Sequence, residues 1–505
     1  MAPPKHAASS SSRPPWGTPG IRDRTWGAGA AAGTPDAARL REGDGYVGVP
    51  IHRGPTTLTP VPRRRRAIEG TVCGVVAADG RESRTERPGG PEDPSEATTE
   101  HLERLLQAYG DVRAFTEHLA EPLSAEDQTV QSMPDVSPTK WHRGHTSWFF
   151  ETFLLAPELA GYEPFHPAFG YLFNSYYEAV GARHPRPDRG LLSRPGIEEV
   201  AAYRRHVDRG MEALLEHPGT PETAALVELG VHHEQQHQEL LLMDIKHVLS
   251  RNPLWPAYAP SHQQPAPREP QKTGWIEHPG GVTEIGHAAG SFAFDNESPR
   301  HRVQLVPFAV ADRLVTCGEW QEFVDDGGYA RPELWLSEGW ATVQAQRWEA
   351  PLYWDLEESR IFTLTGEHAI DPTEPAVHVS YFEADAFARW AGARLPTEAE
   401  WETVAARSGE PATSGAHTLH PPGAGGSQLH GAVWQWTASS YSPFPGFRPA
   451  AGAVGEYNGK FMVNQQVLRG SACVTPPSHR RTTYRNFFPA AARWAFSGLR
   501  LARDL

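Results

Sequence analysis

Apolar residues recur at helical spacing in four stretches of the first half of the chain. The first begins near Glu100, and the others lie near residues 138–156, 196–216 and 221–250. Apolar positions three and four residues apart form one face of an α-helix, so each stretch predicts a helix that buries that face. Together they predict an all-α four-helix bundle over residues 96–251.

Two of these helices have clear start signals. Ser137 precedes Pro138, and Thr220 precedes Pro221. A hydroxyl side chain accepts a hydrogen bond from the first helical turn, and proline fits the first helical position because it lacks an N–H group. We therefore expect Ser137 and Thr220 to be N-caps.

A long aromatic loop separates the second predicted helix from the third. It reads GYEPFHPAFGYLFNSYYEAVGARHPRP at residues 161–187. Loops of this length inside a compact domain are usually functional. Arg183, Arg186 and Arg189 in and after the loop either bind a substrate carboxylate or are solvated charges.

The second half of the chain has a different pattern. Short strand-like runs and Gly/Pro turns surround two modest helices near residues 318–326 and 380–391, which predicts an α+β domain over 274–505. The Pro-rich residues 252–273 predict a linker. Residues 1–95 are rich in Ala, Gly, Pro, Ser and Arg without an apolar period, and predict a disordered leader.

Composition limits the classes of partner. The 505 residues include 47 Lys and Arg against 61 Asp and Glu, a formal net charge of −14, which disfavours binding to nucleic acid or to an anionic membrane. Three distant cysteines, Cys73, Cys317 and Cys473, form no disulfide framework. With no long apolar run and no signal-peptide pattern, we expect a cytoplasmic protein.

Histidines on two predicted helices indicate a metal site. His233 and His237 are four residues apart, so both imidazoles lie on one helical face. His142 or His145 on the second helix could supply a third imidazole across the core. Chance pairs are common among 24 histidines, but the apolar surroundings favour metal binding. Three imidazoles with open coordination positions suit Fe(II), Zn or Cu.

The same stretch also has the HExxH pattern of zinc proteases, in which Glu234 would be the general base. Extended forms of that pattern need a third ligand soon after the second histidine. Residue 243 is Met, and His247 lies about 280° around the helix from His237. A protease would therefore lack its third ligand nearby.

Tyr176 and Tyr177 in the aromatic loop add a second chemical signal. A phenol beside an open iron site can donate a proton or an electron to reduced oxygen species, although tyrosine pairs are more often packing residues. The combination makes oxygen chemistry plausible.

Several longer motifs extend these signals along the chain. They are TKWHRGHTSWFFETFLL, FNSYYEAVG, HHEQQHQE, FDNESPRHRVQL, RLPTEAEWE, VWQWTASSYSPFPGFRP, EYNGKFM, VLRGSACVTP, YRNFFP and SGLRLARDL. Over about residues 100–505 the chain resembles the ergothioneine-biosynthesis sulfoxide synthases, or hercynine oxygenases. The resemblance implies a DinB-like four-helix bundle joined to a C-type-lectin-like domain of the formylglycine-generating-enzyme (sulfatase-modifying-factor) type, with the active site between them.

The resemblance also implies the reaction. Such an enzyme uses non-haem Fe(II) and O₂ to couple a thiol to C2 of the imidazole of hercynine (Nα-trimethylhistidine), leaving a sulfoxide. The family's iron ligands fall on His145, His233 and His237. Gln236 matches the residue that hydrogen-bonds the hercynine imidazole, and Asn486 and Phe487 match positions that line the hercynine pocket.

Two further positions bear on the thiol. Members that use γ-glutamylcysteine end the last pocket motif in an acidic residue, whereas this chain has Phe488. Members with the loop sequence Ser175-Tyr176-Tyr177 resemble a separate branch that can use free cysteine, with one or both tyrosines as the catalytic acid. The resemblance therefore favours cysteine over γ-glutamylcysteine.

Other functions remain open at this point. Selenoneine synthase, which joins a selenosugar to hercynine, resembles the same family and is therefore an alternative. A formylglycine-generating oxidase needs two neighbouring cysteines, whereas Cys473 stands alone. A catalytically silent binding module would hold no stoichiometric iron.

Overall fold

The first half of the chain is built from helices. The computed structural model describes residues 94–216, 220–260, 272–409, 411–412, 417–423, 427–450, 452, 455 and 458–505. The predicted leader up to residue 93 lies outside these residues. The helices are α1 (Pro94–Ala120), α2 (Thr139–Phe150), α3 (Ala156–Glu158), α4 (Phe169–Leu172), α5 (Ile197–Leu215) and α6 (Pro221–Ser250).

The four predicted helices are confirmed as α1, α2, α5 and α6. Helix α6 packs against α1 and α2, and α2 also packs against α5. A π-helical turn, Glu151–Leu155, extends α2. None of the helices in the described ranges is long and apolar enough to cross a membrane.

One of the two predicted N-caps is wrong. The hydroxyl of Thr220 accepts a hydrogen bond from a backbone N–H of the first turn of α6. Helix α2 instead begins at Thr139 without a side-chain cap. The Ser137 hydroxyl accepts from Arg189 Nη1 at 2.8 Å, and its backbone N–H donates to Asp244 Oδ2 at 2.8 Å. Long-range partners that sequence spacing does not show therefore determine the position of Ser137.

The second half contains short strands with helices between them. The strands are β1 (Trp275–His278), β2 (Gly281–Ile285), β3 (His301–Leu305), β4 (Phe308–Ala311), β5 (Trp354–Asp355), β6 (Arg360–Thr363), β7 (Gly366–Ala369), β8 (Trp434–Ser440), β9 (Gln466–Arg469), β10 (Asn486–Phe488), β11 (Ser497–Gly498) and β12 (Ala502–Asp504). They form sheets in the orders β1-β4-β12, β10-β9-β8-β11, β2-β3 and β5-β6-β7.

In the part of this half that the structure describes, four α-helices accompany the strands. They are α7 (Cys317–Asp325), α8 (Ser337–Gln346), α9 (Tyr381–Trp390) and α10 (Glu398–Arg407). Helices α7 and α9 confirm the two predicted helices, whereas α8 and α10 were not predicted from the sequence. Helix α10 has a readable start, because Thr397 and Glu400 form a capping box.

Helix α6 links two hydrophobic cores. Near its start, Val227 and Val231 pack in the core of the helical half. Near its end, Leu241, Leu242 and Ile245 pack in the core of the strand-containing half. All described residues belong to one compact unit that ends at Leu505. The stretch of α6 between the two cores carries the histidines, so the candidate site lies at the boundary between the two halves.

Candidate active site

Three histidines from two helices meet at this boundary. His145 comes from α2, and His233 and His237 lie one turn apart on α6. One ring nitrogen from each lies within 4.8 Å of the other two, and all three side chains are buried. His142, the other candidate on α2, lies next to this triad, with its Nδ1 atom 2.9 Å from Nδ1 of His237.

Hydrogen bonds orient two of the three rings. Nδ1 of His145 lies 2.6 Å from the backbone oxygen of Phe173, which only accepts, so the Nδ1–H donates and Nε2 keeps its lone pair. On His237 the Nδ1 atom is likewise engaged by His142, which leaves Nε2 as its ligand atom. Ligand histidines are typically oriented by such a partner on the other ring nitrogen.

Burial keeps the imidazoles neutral. Desolvation, assisted by the neighbouring rings, lowers the pKa of His145 and His237 well below the ordinary value. Burial also lowers the pKa of His233 to about 4. Neutral imidazoles offer lone pairs to a metal, and this donor set fits Fe(II), Zn or Cu. The triad can therefore hold a metal ion.

An aromatic stack holds the triad from one side. The rings of Trp141 and His145 are stacked 4.6 Å apart, and Trp148 stacks beyond His145 at 5.4 Å. The guanidinium of Arg189 lies 3.3 Å from the Trp141 ring centroid on the stack. Flat packing of this kind restricts ring rotation, so the direction of the His145 lone pair is fixed before a metal arrives.

Glu234 is committed to a different network. Its carboxylate accepts from Arg113 Nη1 at 3.0 Å, Arg204 Nη2 at 2.9 Å and Thr116 Oγ1 at 2.7 Å. Burial alone would raise the pKa of Glu234, but the two guanidinium groups lower it to about 2. These contacts occupy both carboxylate oxygens, which disfavours the role of general base that a zinc protease would need.

Two cavities meet at Gln236. The larger, about 390 Å³, has a wall that includes Tyr177, His233, Gln236, Phe292 and Phe294. The smaller, about 210 Å³, has a wall that includes Tyr176, Gln236, Asn486, Phe487 and Phe488. The structure therefore places the predicted substrate residues around one space and a metal-site histidine beside the adjoining one.

Gln236 presents an acceptor to these cavities. Its Nε2 group donates to the Tyr484 hydroxyl at 2.7 Å, which fixes the amide orientation. Its buried Oε1 atom has no hydrogen-bond partner among the residues that the structure describes. A buried amide oxygen without a partner is costly, so a ligand N–H at this position would be favourable.

The two loop tyrosines have different surroundings. Tyr177 is buried and packs against Trp148 at 5.5 Å and Phe153 at 5.1 Å. Tyr176 accepts from Arg186 Nη1 at 2.8 Å through its hydroxyl, and its ring meets Phe461 edge-on at 4.9 Å. The Lys460 ammonium donates to the Tyr176 carbonyl. The loop is thus attached to both halves of the structure.

Strand β10 carries the other predicted pocket residues. Asn486 Oδ1 accepts from the Phe487 backbone N–H at 2.9 Å. The Phe487 ring stacks on Tyr441 at 4.0 Å, and Phe488 meets Trp494 edge-on at 5.6 Å. Since β10 is the edge strand of its sheet, these side chains are available to the smaller cavity.

The three loop arginines contact neighbouring groups of the protein, and two of them contact the loop itself. Arg183 donates to the Ser175 carbonyl, and Arg186 donates to the Tyr176 hydroxyl. Arg189 is only 3% exposed, and burial lowers its pKa to about 9. Its Nε and Nη2 atoms have no hydrogen-bond partner within the described ranges. Solvated charge is therefore the wrong interpretation for Arg189.

Sequence reasoning missed several residues of this region. Tyr484 lies two positions before Asn486, Phe294 is the first residue of the FDNESP motif, and Phe292 lies two positions before Phe294, but no periodicity marked them as pocket residues. Asp244, which hydrogen-bonds His142, was not predicted because it is one of many buried residues on α6. The motif that begins at Phe294 is one of those on which the family resemblance rests, but no role was predicted for it. That motif is the sequence signal that could have identified these pocket residues.

Comparisons with known families match both halves. A family profile of the DinB superfamily matches residues 108–241, and a profile of the sulfatase-modifying factor enzyme 1-like domain matches residues 260–417 and 408–505. The formylglycine-generating enzyme of Streptomyces coelicolor is 29% identical over 238 residues, covering 35% of this chain and 73% of that protein.

Two relatives match most of the chain. Hercynine oxygenase of Mycobacterium tuberculosis is 33% identical over 439 residues, which cover 80% of this chain and 99% of that protein. Hercynine oxygenase of Mycolicibacterium smegmatis is 31% identical over 411 residues, which cover 74% and 93%. These matches run through both halves and through the candidate site between them. The chain therefore belongs to the hercynine oxygenase family of oxidoreductases.

Proposed function

We propose that this protein is an Fe(II)- and O₂-dependent sulfoxide synthase of ergothioneine biosynthesis, which joins a thiol to C2 of hercynine. The observation that carries the proposal is the geometry of α6. His233 and His237 complete a three-imidazole site with His145. Gln236, between them in the sequence, presents to the adjoining cavities an amide oxygen that has no hydrogen-bond partner among the described residues.

His145, His233 and His237 would hold the iron through one nitrogen each. When bound, Fe(II) supplies the activation of O₂ and of the thiol sulfur. The chain itself orients the imidazoles, keeps them neutral and shields them from bulk water by burial.

Hercynine fits the groups around Gln236. Its imidazole N–H would donate to Gln236 Oε1, whose position is fixed by the bond to Tyr484. Aromatic faces attract quaternary ammonium groups, and Phe292, Phe294 and Phe487 line the two cavities. One acceptor and several aromatic faces match one N–H donor and one trimethylammonium group.

The cationic loop fits the carboxylate of a thiol substrate, and we propose cysteine as that thiol. Arg189 has two buried nitrogens without a partner in the described residues, and Arg186 lies on the wall of the smaller cavity. A carboxylate accepts well from such guanidinium groups. Phe488, with its apolar ring against Trp494, offers no charge to the amino group of a γ-glutamyl extension.

The loop tyrosines are the proposed proton donors. Tyr177 lines the larger cavity together with His233, and Tyr176 lines the smaller one. The Arg186 guanidinium donates to the Tyr176 oxygen, so the Tyr176 proton is directed away from that arginine. Either phenol can deliver a proton while oxygen is reduced.

The finer fold assignment is part of the same proposal. We assign residues 96–251 to a DinB-like four-helix bundle, 252–273 to a linker and 274–505 to a C-type-lectin-like domain. The profile matches at 108–241 and 260–505 support this division, as does the change from helices to strands between Ser250 and Trp275.

Reconstitution tests the reaction. The purified protein receives Fe(II) without oxygen, then hercynine with cysteine, γ-glutamylcysteine or a selenosugar, and then air. We expect the mass of a hercynine–cysteine sulfoxide. A hercynine–selenosugar adduct as the main product would establish the selenoneine alternative, and the absence of any hercynine adduct would refute the proposal.

The tyrosines are tested by replacing both hydroxyls. In Tyr176→Phe/Tyr177→Phe, we expect sulfoxide formation to fall by about 10²–10⁴-fold, as for loss of a general acid, and cysteine dioxygenation to rise. Tyr171→Phe is the matched control, because this exposed tyrosine lies in the same loop outside both cavity walls. An unchanged sulfoxide yield in the double variant would refute the assigned role.

A further inference from the structure

His142 and Asp244 form a chain of contacts behind the metal site. The Nδ1 atom of His142 lies 2.9 Å from Nδ1 of His237, and its Nε2 atom lies 3.0 Å from Asp244 Oδ2. Both side chains are at least nine-tenths buried. The backbone N–H of Ser137 donates to the same Asp244 oxygen at 2.8 Å.

The direction of each hydrogen bond follows from this arrangement. Asp244 Oδ2 already accepts from Ser137, so it acts as an acceptor toward His142, and the His142 Nε2–H donates to it. In that tautomer Nδ1 of His142 is an acceptor. The His237 Nδ1–H then donates to it, and Nε2 of His237 keeps the lone pair.

We propose that His142 and Asp244 are positioning residues that fix the tautomer and ring orientation of His237 for metal binding. The proposal rests on the proposed function, since it assumes that the triad binds Fe(II). A hydrogen-bonded carboxylate behind a ligand histidine raises its basicity and holds its ring in place. Here a second imidazole is inserted between the carboxylate and the ligand.

The other oriented ligand is held in a different way. His145 donates to the backbone carbonyl of Phe173. A substitution of the Phe173 side chain leaves that carbonyl in place. The partner of His237 is a side chain and can be replaced. A test can therefore remove the hydrogen bond that orients His237 and keep the one that orients His145.

Metal affinity gives the test a readout besides activity. The full chain is titrated with Fe(II) and, separately, with Co(II) without oxygen, and the visible absorption of Co(II) reports the ligand geometry. His142→Phe removes the acceptor for the His237 Nδ1–H. His142→Asn restores an acceptor, because its amide oxygen can occupy the position of Nδ1. Circular dichroism and thermal unfolding of the metal-free variants report folding.

His247→Phe is the matched control. His247 is also buried and lies near Asp244, but its Nδ1 atom hydrogen-bonds Ser132 instead of His142 or Asp244. We expect His142→Phe to weaken metal binding by about 10–100-fold and to shift the Co(II) spectrum. We expect His142→Asn to restore most of the affinity and His247→Phe to leave it unchanged.

The outcomes separate this proposal from the proposed function. Tight binding by the unchanged protein together with equal binding by His142→Phe would overturn the positioning role alone. Equal losses in His142→Phe and His142→Asn would do the same, because the acceptor would then not matter. Failure of the unchanged protein to bind either metal would overturn both proposals.

Discussion

Two neighbouring rows of buried polar residues on α6 behave differently. Glu234 and Gln238 form one row, in which Glu234 bonds two arginines and Gln238 Nε2 donates to the Val112 carbonyl at 2.8 Å. His233 and His237 form the other row, which faces the third imidazole from α2. We call these the closed row and the open row.

The rows differ in what completes them. Residues four apart share a helical face, and adjacent residues are about 100° apart around the helix. The closed row therefore faces α1 and α5, which supply guanidinium, hydroxyl and carbonyl groups. The open row faces the imidazole of His145, and the nitrogen lone pairs of the three rings can bind one metal ion. A buried polar row thus indicates function when its ligand atoms converge on one point, as those of the open row do with His145.

Removal of an open-row ligand should have the largest effect. We expect His237→Ala to lower sulfoxide formation by about 10³-fold or more, because loss of the metal removes several kcal/mol of stabilisation. The measurement is iron content together with product formation. His247→Ala, on the same helix outside the triad, should retain both. An iron-loaded, active His237→Ala variant would mean that the open row is not a metal site.

Disruption of the closed row should reduce stability. We expect Glu234→Gln to lower the free energy of unfolding by about 3 kcal/mol, because Arg113 and Arg204 lose their fully buried countercharge and keep only the more exposed carboxylates of Asp208 and Glu117. Urea unfolding of the metal-free chain measures the loss. Glu222→Gln, in the exposed first turn of α6, is the control and should change it little. Stability equal to that of the unchanged protein would show that the closed row is not structural.

The sequence was sufficient to predict the long helices and the pair of histidines that α6 contributes to the site. Apolar spacing located α1, α2, α5 and α6, and the i,i+4 rule placed His233 and His237 together. It did not choose between His142 and His145, because both lie on the same helix near the partner helix. The fold separates them by partner: His145 bonds a backbone carbonyl, and His142 bonds Asp244.

The remainder depended on contacts between distant residues. The orientation of the Gln236 amide is fixed by its hydrogen bond to Tyr484, 248 positions away along the chain. Ser137 does not cap α2 as predicted, because its hydroxyl bonds Arg189 and its backbone N–H bonds Asp244. Local patterns specify local structure, whereas these pairings arise only when the two halves pack together.

Gln236, which lies beside the open row on the side away from the closed row, should affect binding more than folding. We expect Gln236→Leu to raise the KM for hercynine by about 10–100-fold, the equivalent of about 1–3 kcal/mol for a lost buried hydrogen bond. Steady-state kinetics measure it. Gln235→Leu is a close control, since Gln235 donates to Ser478 and lies outside both cavity walls. Equal increases in KM for the two variants would exclude a specific role for Gln236.

Farther along α6, Lys246 is a buried basic side chain whose surroundings differ from those of the arginines that contact the closed row. Its ammonium lies 2.7 Å from Nε2 of His378 and about 5 Å from the rings of Tyr353 and Phe496. These partners are uncharged groups, whereas Arg113 and Arg204 face a carboxylate. Burial lowers the pKa of Lys246 to about 7.

This lowered pKa predicts a dependence of stability on pH. Between about pH 7 and the ordinary lysine pKa of about 10.4, the unfolded chain binds a proton at Lys246 that the folded chain does not, so the free energy of unfolding rises with pH. Lys246→Met should reduce that rise by at most about 1.4 kcal/mol per pH unit. Urea unfolding at several pH values measures it, with the exposed Lys272→Met as control. An identical rise in Lys246→Met and in the unchanged chain would mean that Lys246 remains charged in the fold, as the closed-row arginines do.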